Sequence, residues 1–517
     1  MKFKTKVAYS AVLATLSLAA GTAQAAYLSE QGTGQVLIYP YYTVQGGMDT
    51  YMSIVNTTSA AKAVKVRFIE GKNSREVLDF NLYLSAYDVW AGAVTATAAA
   101  PAGAQLVVPA DEFSCTSPQI TGAVPFRNGN YAGANGDPYE EDLGRTREGY
   151  VEVIEMGVPV GNPADATGKP FAWRITHDQS KTPAKPNDCG WVSTQWAQWG
   201  SKSGAPATLT VTAPTGGLIG SGTLINAKTG VDYSYDPVAI EDFSTAINLH
   251  HRPGSTSPSL ADATANSVVI NGLGSERRLL TTTWSPAGSL INTSVNAVSA
   301  VLMRSNVMNE YYVDTDVAGA TDWVVTFPTK RFYVGVQTFA APFTKAYGDA
   351  ASVISPYYTK GRWNACEDVG LGVYNREELA KGAVDFSPST SGPQLCNEAN
   401  VITFGVTPGT GAGVLGSMNL ERNLAASDIF AKGWVDLNLT APGHTLSGNT
   451  RSQNTLNGWG STIGNTYIDT VATYYGLPVV GFAVQKYVNG TFNGAVGNYG
   501  GAYIHKYVRT VTGADGL

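Results

Sequence analysis

Charged side chains are scarce in this sequence. Asp, Glu, Lys and Arg together make up 14% of its 517 residues, against roughly 25% in an average globular protein. The remaining charge is unbalanced, because 40 acidic residues outnumber 34 basic ones. A nucleic-acid-binding protein needs clustered positive charge to meet the phosphate backbone, so we exclude nucleic acid as a partner. Glycine, tyrosine, threonine, serine and asparagine are abundant instead, and they predict a surface that is polar through hydroxyl and amide groups.

Long apolar runs are also missing. No stretch approaches the roughly 20 consecutive apolar residues of a transmembrane helix, so we expect no membrane-spanning segment. The apolar run from Val7 to Ala20 is shorter and follows three lysines, and the small residues Ala23 and Ala25 come after it. This order is typical of a secretory signal peptide. We interpret residues 1–25 as that peptide and expect an exported protein at the cell surface or outside the cell, with the periplasm as the alternative.

The sequence contains only four cysteines, and they are far apart. None forms a CxxC pair, which excludes the usual zinc and thioredoxin-like motifs. In an exported protein two disulfides are the expected state. Proximity along the chain favours Cys115 with Cys189 and Cys366 with Cys396. The alternative is four free, buried thiols.

Alternation of apolar and polar residues is clearest between Tyr51 and Val94. Val64, Val66 and Phe68 alternate with Lys65 and Arg67, and similar patterns precede and follow them. A period of two indicates strands with one buried and one solvent-exposed face. We therefore predict three antiparallel strands in one sheet of a β-sandwich.

The rest of the chain extends this prediction to the fold class. Short alternating runs separated by turn residues recur to the C-terminus, and a 3.6-residue period is confined to residues 294–306. We predict an all-β, mainly antiparallel protein with two or more β-sandwich (Ig-like) units, long loops and one or two short helices. The expected order is a signal peptide (1–25), an N-terminal sandwich (26–160), a loop-rich β region with a helix near 294–306 (161–320) and a C-terminal sandwich (321–517).

Catalytic motifs are absent from the sequence. It contains no HExxH, GxSxG or GxxxxGK[ST] pattern. Gly411, Gly413 and Gly416 spell GxGxxG, but no βαβ unit surrounds them, as a dinucleotide site would require. We interpret these glycines as part of a glycine-rich hairpin, predict no catalytic or cofactor-binding residue, and expect that the protein is not an enzyme.

Two groups of residues remain as candidate binding sites. Asp314 and Asp316 resemble half of a calcium-binding loop, and the alternative is an ordinary acidic turn. Four tryptophans in a stretch of little periodicity, Trp173, Trp191, Trp196 and Trp199, are candidates for stacking on sugar rings. The alternative is that these rings cover a sandwich core with their indole N–H groups paired.

Several sequence segments resemble those of known proteins, among them AVKVRFIEGKNSREVLDF, GYVEVIEMG, TDWVVTFPTKRFYV and GLPVVGFAVQKYVNG. Together they resemble a family of exported bacterial proteins described as hypothetical or cell-surface proteins, over nearly the whole chain after the leader. The resemblance implies an exported, β-rich protein and brings no known activity.

Three function classes follow from these observations. The first is a structural or matrix protein of the cell exterior, which associates with itself or with other envelope components and has no catalytic activity. The second is a carbohydrate- or surface-binding (adhesion) module that uses the tryptophans. The third, less favoured, is a secreted hydrolase.

Overall fold

The protein is built almost entirely of antiparallel β-sheet. The computed structural model describes residues 24–98, 102–137, 139–160, 168–272, 278–284, 293–348, 365–382, 384–386, 392–407, 410–454, 468–492 and 495–513. Residues 1–23, which hold most of the predicted signal peptide, lie outside this range. Three α-helices are present in the described residues, where one or two short helices were expected, and the predicted all-β sandwich class is confirmed.

Sixteen strands precede residue 242. They are β1 (Tyr27–Leu28), β2 (Val36–Thr43), β3 (Asp49–Asn56), β4 (Lys62–Glu70), β5 (Glu76–Leu84), β6 (Val89–Ala96), β7 (Ala104–Val108), β8 (Cys115–Ser117), β9 (Gly122–Pro125), β10 (Glu148–Pro159), β11 (His177–Asp178), β12 (Lys185–Pro186), β13 (Val211–Thr212), β14 (Leu218–Asn226), β15 (Val231–Tyr235) and β16 (Val238–Glu241).

Twenty further described strands follow. They are β17 (Asn266–Asn271), β18 (Arg278–Thr283), β19 (Met303–Arg304), β20 (Asn306–Tyr312), β21 (Ala320–Thr326), β22 (Val334–Gly335), β23 (Thr338–Phe339), β24 (Glu367–Asp368), β25 (Gly370–Tyr374), β26 (Gln394–Leu395), β27 (Ala399–Phe404), β28 (Glu421–Leu424), β29 (Lys432–Asn438), β30 (Thr445–Asn454), β31 (Ile468–Tyr475), β32 (Leu477–Pro478), β33 (Val480–Phe492), β34 (Ala495–Ile504), β35 (Lys506–Val508) and β36 (Thr510–Thr512). The helices are α1 (Phe171–Ile175), α2 (Cys189–Trp199) and α3 (Thr293–Leu302).

Two sheets form the N-terminal sandwich. Sheet 1 has the strand order β1-β16-β2-β10-β4-β5-β8, with β13 also paired to β10, and sheet 2 has the order β15-β14-β3-β6-β7-β9. Apolar side chains from both sheets meet in one core, including Phe68 and Phe80 of sheet 1 and Trp90 of sheet 2. Strands β13 to β16 belong to these sheets, so the N-terminal sandwich also draws on residues 211–241.

The predicted strands between residues 51 and 94 are present, but they do not lie in one sheet. β4 and β5 pair with each other in sheet 1, whereas β3 pairs with β14 and β6 in sheet 2. The prediction of a single three-stranded sheet was therefore wrong. The chain crosses between the sheets after Asn56, whose buried amide donates to the carbonyls of Ala60 and Ser85 at 2.7 Å each.

The expectation of one solvent-exposed face was also wrong for β4 and β5. Lys65 and Arg67 are buried, because the outer face of sheet 1 is covered by the segment around residues 250–258. The Lys65 ammonium lies 2.8 Å from Asp79 and donates to the carbonyl of Arg252, while Arg67 pairs with Glu76 at 2.6 Å. Each buried cation therefore has an anionic partner, as burial of charge requires.

The C-terminal sandwich joins two further sheets. Sheet 5 has the order β28-β27-β21-β33-β34 and sheet 4 the order β25-β29-β20-β35. Trp323 and Phe404 of sheet 5 pack with Tyr311 of sheet 4 in the core between them, with ring centroids 5.0 to 5.5 Å apart. The pairing of β27 with β28 is parallel, and the other strand pairs of these two sheets are antiparallel.

Helix α3 confirms the helix predicted near residues 294–306, although it ends at Leu302. Its buried residues Val298 and Val301 pack between the outer face of sheet 1 and a third layer, sheet 3, with the order β17-β18-β30-β31-β36. This arrangement explains the 3.6-residue apolar period in an otherwise β-patterned chain.

The two sandwiches share a continuous core. Val324 and Phe482 of sheet 5 belong to the same apolar cluster as Leu37 of sheet 1. The rings of Tyr235 and Phe482 stack with centroids 4.5 Å apart, and the Thr326 hydroxyl donates to the carbonyl of Pro40 at 2.7 Å. The sandwiches are therefore packed against each other directly.

Candidate binding sites

Both predicted disulfides are present. Cys115 is bonded to Cys189 and Cys366 to Cys396, and no cysteine is left free. The first bond ties the start of α2 to strand β8 at the edge of sheet 1. Disulfides of this kind are typical of proteins that fold in an oxidising compartment.

The four candidate tryptophans do not form one surface. Trp196 is buried in a cluster with Tyr83 and His250, and its indole N–H donates to the Tyr83 hydroxyl at 2.8 Å. His250 lies edge-on to Trp196, and burial lowers the pKa of this histidine to about 4, so it is neutral at physiological pH. A ring held in this way fills the core and is not available to a sugar.

The other three tryptophans lie nearer to solvent, and each is close to a cation. Trp173 is 37% exposed, and the Lys169 ammonium is 4.7 Å from its ring centroid. The guanidinium of Arg174 is 4.7 Å from the Trp191 ring, and Lys202 is 4.9 Å from the Trp199 ring. Trp173 is the most exposed of the four and remains the candidate for stacking on a ligand.

Asp314 and Asp316 already have protein partners. Asp314 accepts a hydrogen bond from the Lys432 ammonium at 3.0 Å, and this bond lowers the pKa of Asp314. Asp316 accepts from the Tyr312 hydroxyl at 2.9 Å. A calcium ion would have to compete with Lys432 for Asp314, and within the described ranges no group of three or more acidic, histidine or cysteine residues is arranged to hold a metal.

The glycine-rich segment is a loop that binds carboxylates of the protein itself. The backbone N–H of Leu415 donates to Asp322 at 2.8 Å, and those of Met418 and Asn419 donate to Glu148 at 3.2 Å each. Glu148 starts β10 in sheet 1, so the loop connects the two sandwiches. A hairpin was predicted here, but residues 411–420 form no strand.

Two buried carboxyl groups have strongly raised pKa values. Burial raises the pKa of Asp322 and of Glu398 to about 7 each. Such shifts mark candidate acids in enzymes when the group lies in a cleft. Neither residue lines the large cleft or the smaller polar pocket described below, so substrate would not reach them there.

The smaller pocket lies where the two sandwiches meet. It has a volume of about 130 Å³ and is lined by charged and amide side chains, including Lys72, Glu140 and Arg422. Lys72 and Glu140 form an ion pair with each other. The pocket is small, and its charges are paired in part.

Strand β34 lies at the edge of sheet 5 in the C-terminal sandwich. It is ten residues long, contains no charged residue and, within the described ranges, pairs only with β33. The Asn498 amide donates to the Thr229 carbonyl at 2.8 Å, so β34 also contacts the N-terminal sandwich. Tyr499 is 58% and Tyr503 46% exposed. The amide of Asn309 donates to the Tyr503 carbonyl at 3.1 Å and occupies one position of the edge. A strand was predicted over Ala502–Val508, which overlaps only the last three residues of β34, and alternation did not indicate a sheet edge here.

A large cleft opens beside this edge. Its volume is about 1700 Å³, and its walls come from α3, β17, β18, β35 and the chain around Tyr27. Most lining side chains are apolar, but Arg304 and Arg509 also line it. Neither arginine was predicted as a site residue from the sequence, although Arg304 is a single cation within the apolar run AVLMRSNVM.

No protein-family model, curated protein or solved structure matches the chain. The family resemblance drawn from its sequence phrases therefore stays a prediction. At the level of class, the fold defines a disulfide-bonded, predominantly antiparallel β-protein of packed sandwiches. No helix in the described part of the chain is long and apolar enough to cross a membrane.

Proposed function

We propose that the chain is an exported protein of the cell exterior that has no catalytic activity and associates with itself or with other envelope components. The observation that carries this proposal is the uncharged, unpaired edge of β34. Export is supported by the signal-peptide pattern of residues 1–25, and the two disulfides fit an oxidising compartment.

An unpaired edge strand offers backbone N–H and C=O groups to another strand. Natural proteins usually protect such edges with charge, especially lysine, or with proline. β34 has neither, and the exposed rings of Tyr499 and Tyr503 add apolar area that an approaching strand would cover. Addition of a β-strand then supplies directional hydrogen bonds for ordered assembly.

A lysine on this edge tests the proposal. We expect the Tyr499→Lys variant to weaken self-association at least about tenfold, because each added strand would desolvate the new charge. Tyr51→Lys is the matched control, since Tyr51 is 48% exposed on β3, which has strands on both sides. Sedimentation velocity over a range of concentrations measures both variants.

Imaging and fractionation test the location and the assembly. We expect lattices or filaments in negative-stain images of the purified protein, and the protein in the surface or extracellular fraction. A protein that stays monomeric at high concentration and with added Ca²⁺, and that fractionates with the periplasm, would replace this proposal with a soluble binding module.

Glycan binding is the second candidate function, and the exposure of Trp173 is the observation that favours it. Its ring is partly free, whereas Trp196 is enclosed in the core. Binding on a glycan array that is lost in Trp173→Ala, with the unfolding midpoint unchanged, would support this function. Binding that survives the substitution would remove Trp173 from consideration.

A further inference from the structure

The large cleft contains two arginines beside one helix end. Arg304 ends β19, two residues after the end of α3, and Arg509 reaches the same place from the link between β35 and β36. Both guanidinium groups donate to the same two carbonyls at the C-terminus of α3, those of Val301 and Met303, at 2.7 to 3.5 Å. The partial negative charge of a helix C-terminus favours a cation there.

The helix end does not account for two arginines. A helix terminus carries only about half a unit of negative charge, whereas the two guanidinium groups carry two units of positive charge. Among the described residues neither arginine forms an ion pair with a carboxylate. Burial and the nearby charge of Arg509 lower the pKa of Arg304 to about 9, and burial also lowers that of Arg509.

Part of the hydrogen-bonding capacity of Arg304 remains unused. Its Nη1 atom donates to the two carbonyls, whereas Nε and Nη2 have no hydrogen-bond acceptor among the described residues. The ring of Tyr507 lies 3.7 Å from the guanidinium carbon, so the planar group is held on one face. A guanidinium fixed in this way presents parallel N–H groups that match an oxyanion.

Most of the remaining lining of the cleft is apolar. Its lining includes Leu28, Val268, Ile270, Leu279, Leu302 and Val480. The volume of about 1700 Å³ exceeds the roughly 300–1,000 Å³ of ordinary small-molecule pockets, so the cleft has room for an extended chain.

The other ionisable groups of the lining do not compensate the arginines. Glu30 and Asp242 line the cleft but make no ion pair with Arg304 or Arg509. His505 donates from Nε2 to the Val324 carbonyl at 3.0 Å, and its Nδ1 atom lies 3.3 Å from the Asn309 amide nitrogen. Burial lowers the pKa of this ring to about 4, so it is neutral at physiological pH.

From this combination we propose that the cleft binds an anionic amphiphile, a molecule with one long apolar chain and a carboxylate or phosphate head. The head accepts hydrogen bonds from Arg304 and Arg509, and the chain lies along the apolar walls. The ligand supplies a negative charge to the buried Arg304 and the half-buried Arg509. The ligand therefore matches the cleft both in charge and in shape.

Titration calorimetry with four probes of one chain length tests the proposal: dodecanoate, dodecyl phosphate, dodecanol and dodecyltrimethylammonium. The protein is used as exported and purified, at probe concentrations below micelle formation. We expect both anions to bind at least about tenfold more tightly than the alcohol, because hydrogen bonds between a guanidinium and an anionic head group are stronger than those to a neutral hydroxyl. Dodecanoate and dodecyl phosphate together separate the two kinds of head group.

Three variants locate the site. Arg304→Gln should weaken dodecanoate binding about tenfold and leave dodecanol unchanged. Tyr507→Leu, at a residue that is 50% exposed and tolerant of change, should weaken the anions several-fold even if Arg304→Gln does not fold. Lys506→Gln removes an exposed cation from the same strand, does not touch the cleft and should change nothing.

Three outcomes would overturn the proposal. These are equal binding of dodecanoate and dodecanol by the unmodified protein, absence of binding by all four probes, and an equal loss of dodecanoate binding in Lys506→Gln and Tyr507→Leu. The last result would mean that the anions respond to general surface charge and not to the arginine pair.

Discussion

At the scale of single residues, stability depends on charges buried where the chain changes direction. Arg145 lies in the 3₁₀ turn Leu143–Arg147. Its guanidinium is 2.6 Å from Asp137 and 3.1 Å from Glu70, and all three side chains are buried. The ring of Tyr131 lies 4.0 Å from the guanidinium carbon. A buried ion pair adds little net stability to the folded protein, but removing one partner leaves the other charge buried and uncompensated.

Arg145→Met should therefore destabilise the protein by about 3–5 kcal/mol, measured as the free energy of unfolding in urea. Arg75→Met is the matched control, because Arg75 contacts the same Asp137 at 3.4 Å but its side chain is 45% exposed. We expect a change of about 0–1 kcal/mol for the control. Equal effects of the two substitutions would contradict this account of the buried pair.

The raised pKa of Asp322 leads us to predict that the stability of the folded protein depends on pH. Burial, with the negative charges of Glu421 and Glu148 nearby, raises its pKa from 3.8 to about 7 in the folded protein. The folded state then holds a proton that the unfolded state has lost, so stability falls as pH rises from about 4 to 7 and is constant above.

Asp322→Asn should remove this dependence while keeping an oxygen to accept from the Leu415 N–H. Relative to the unmodified protein, the variant should gain stability progressively between pH 4 and 7, by up to about 4 kcal/mol. Urea midpoints at several pH values measure the gain, and Glu377→Gln at an exposed turn is the control. A gain that is the same at pH 4.5 and pH 8 would show that charge on Asp322 is not the cause.

At the scale of elements, two glycines set the distance between the sandwiches. Gly416 in the carboxylate-binding loop faces Gly46 so closely that a Cβ on Gly416 would lie 2.5 Å from the Gly46 Cα. Gly411 in the same loop has the same positive φ of 62°, but a Cβ there would meet only the Met418 side chain at 3.3 Å and backbone at 3.4 Å.

Substitutions at Gly411 and Gly416 separate the loss of stability caused by the backbone conformation from the loss caused by close packing. Gly411→Ala should cost about 1 kcal/mol, the usual cost of a side chain at positive φ. Gly416→Ala should cost at least about 1–3 kcal/mol more, because the backbone of Gly46 cannot move aside easily. Thermal unfolding of both variants gives the difference, and equal losses would mean that the contact between the loops is not tight.

Some of these elements could be predicted from the sequence, whereas their pairing and burial could not. The alternation of Val64, Val66 and Phe68 predicted β4, because a period of two fixes which face is buried. The period does not determine which strand pairs with which, so the sequence did not show that β3 belongs to sheet 2 and not to sheet 1. The burial of Lys65 was missed for a similar reason, since its cover comes from Arg252, far along the chain.

Helix α2 was missed although local signals were present. Asp188 accepts a hydrogen bond from the Trp191 N–H at 3.0 Å as an N-cap, and Gly200 ends the helix with a φ of 65°. An N-cap Asp and a Gly after the last turn are recognised helix boundaries. The arginine pair of the cleft could not have been predicted, because Arg304 and Arg509 are brought together only by the packing of sheet 3 and sheet 4 around α3.

At the scale of the whole molecule, five large sheets pack against one another, and among the described strands β34 forms a ten-residue sheet edge that carries no charge. Sheet 1 is covered on both faces, by sheet 2 on the inside and by the helices with sheet 3 on the outside. The low charge of the chain fits this architecture, because few positions face water alone. It also leaves the β34 edge without the lysines that would discourage association.

Hydrogen–deuterium exchange at two protein concentrations tests self-association through β34 most directly. We predict that every second amide of residues 497–504, those that point away from β33, exchanges rapidly in dilute protein and becomes protected when the protein is concentrated, because a second copy then pairs with the edge. Amides of β3, which has neighbours on both sides, should exchange equally at both concentrations. Assembly without added protection in residues 497–504, or no assembly at all, would contradict the account.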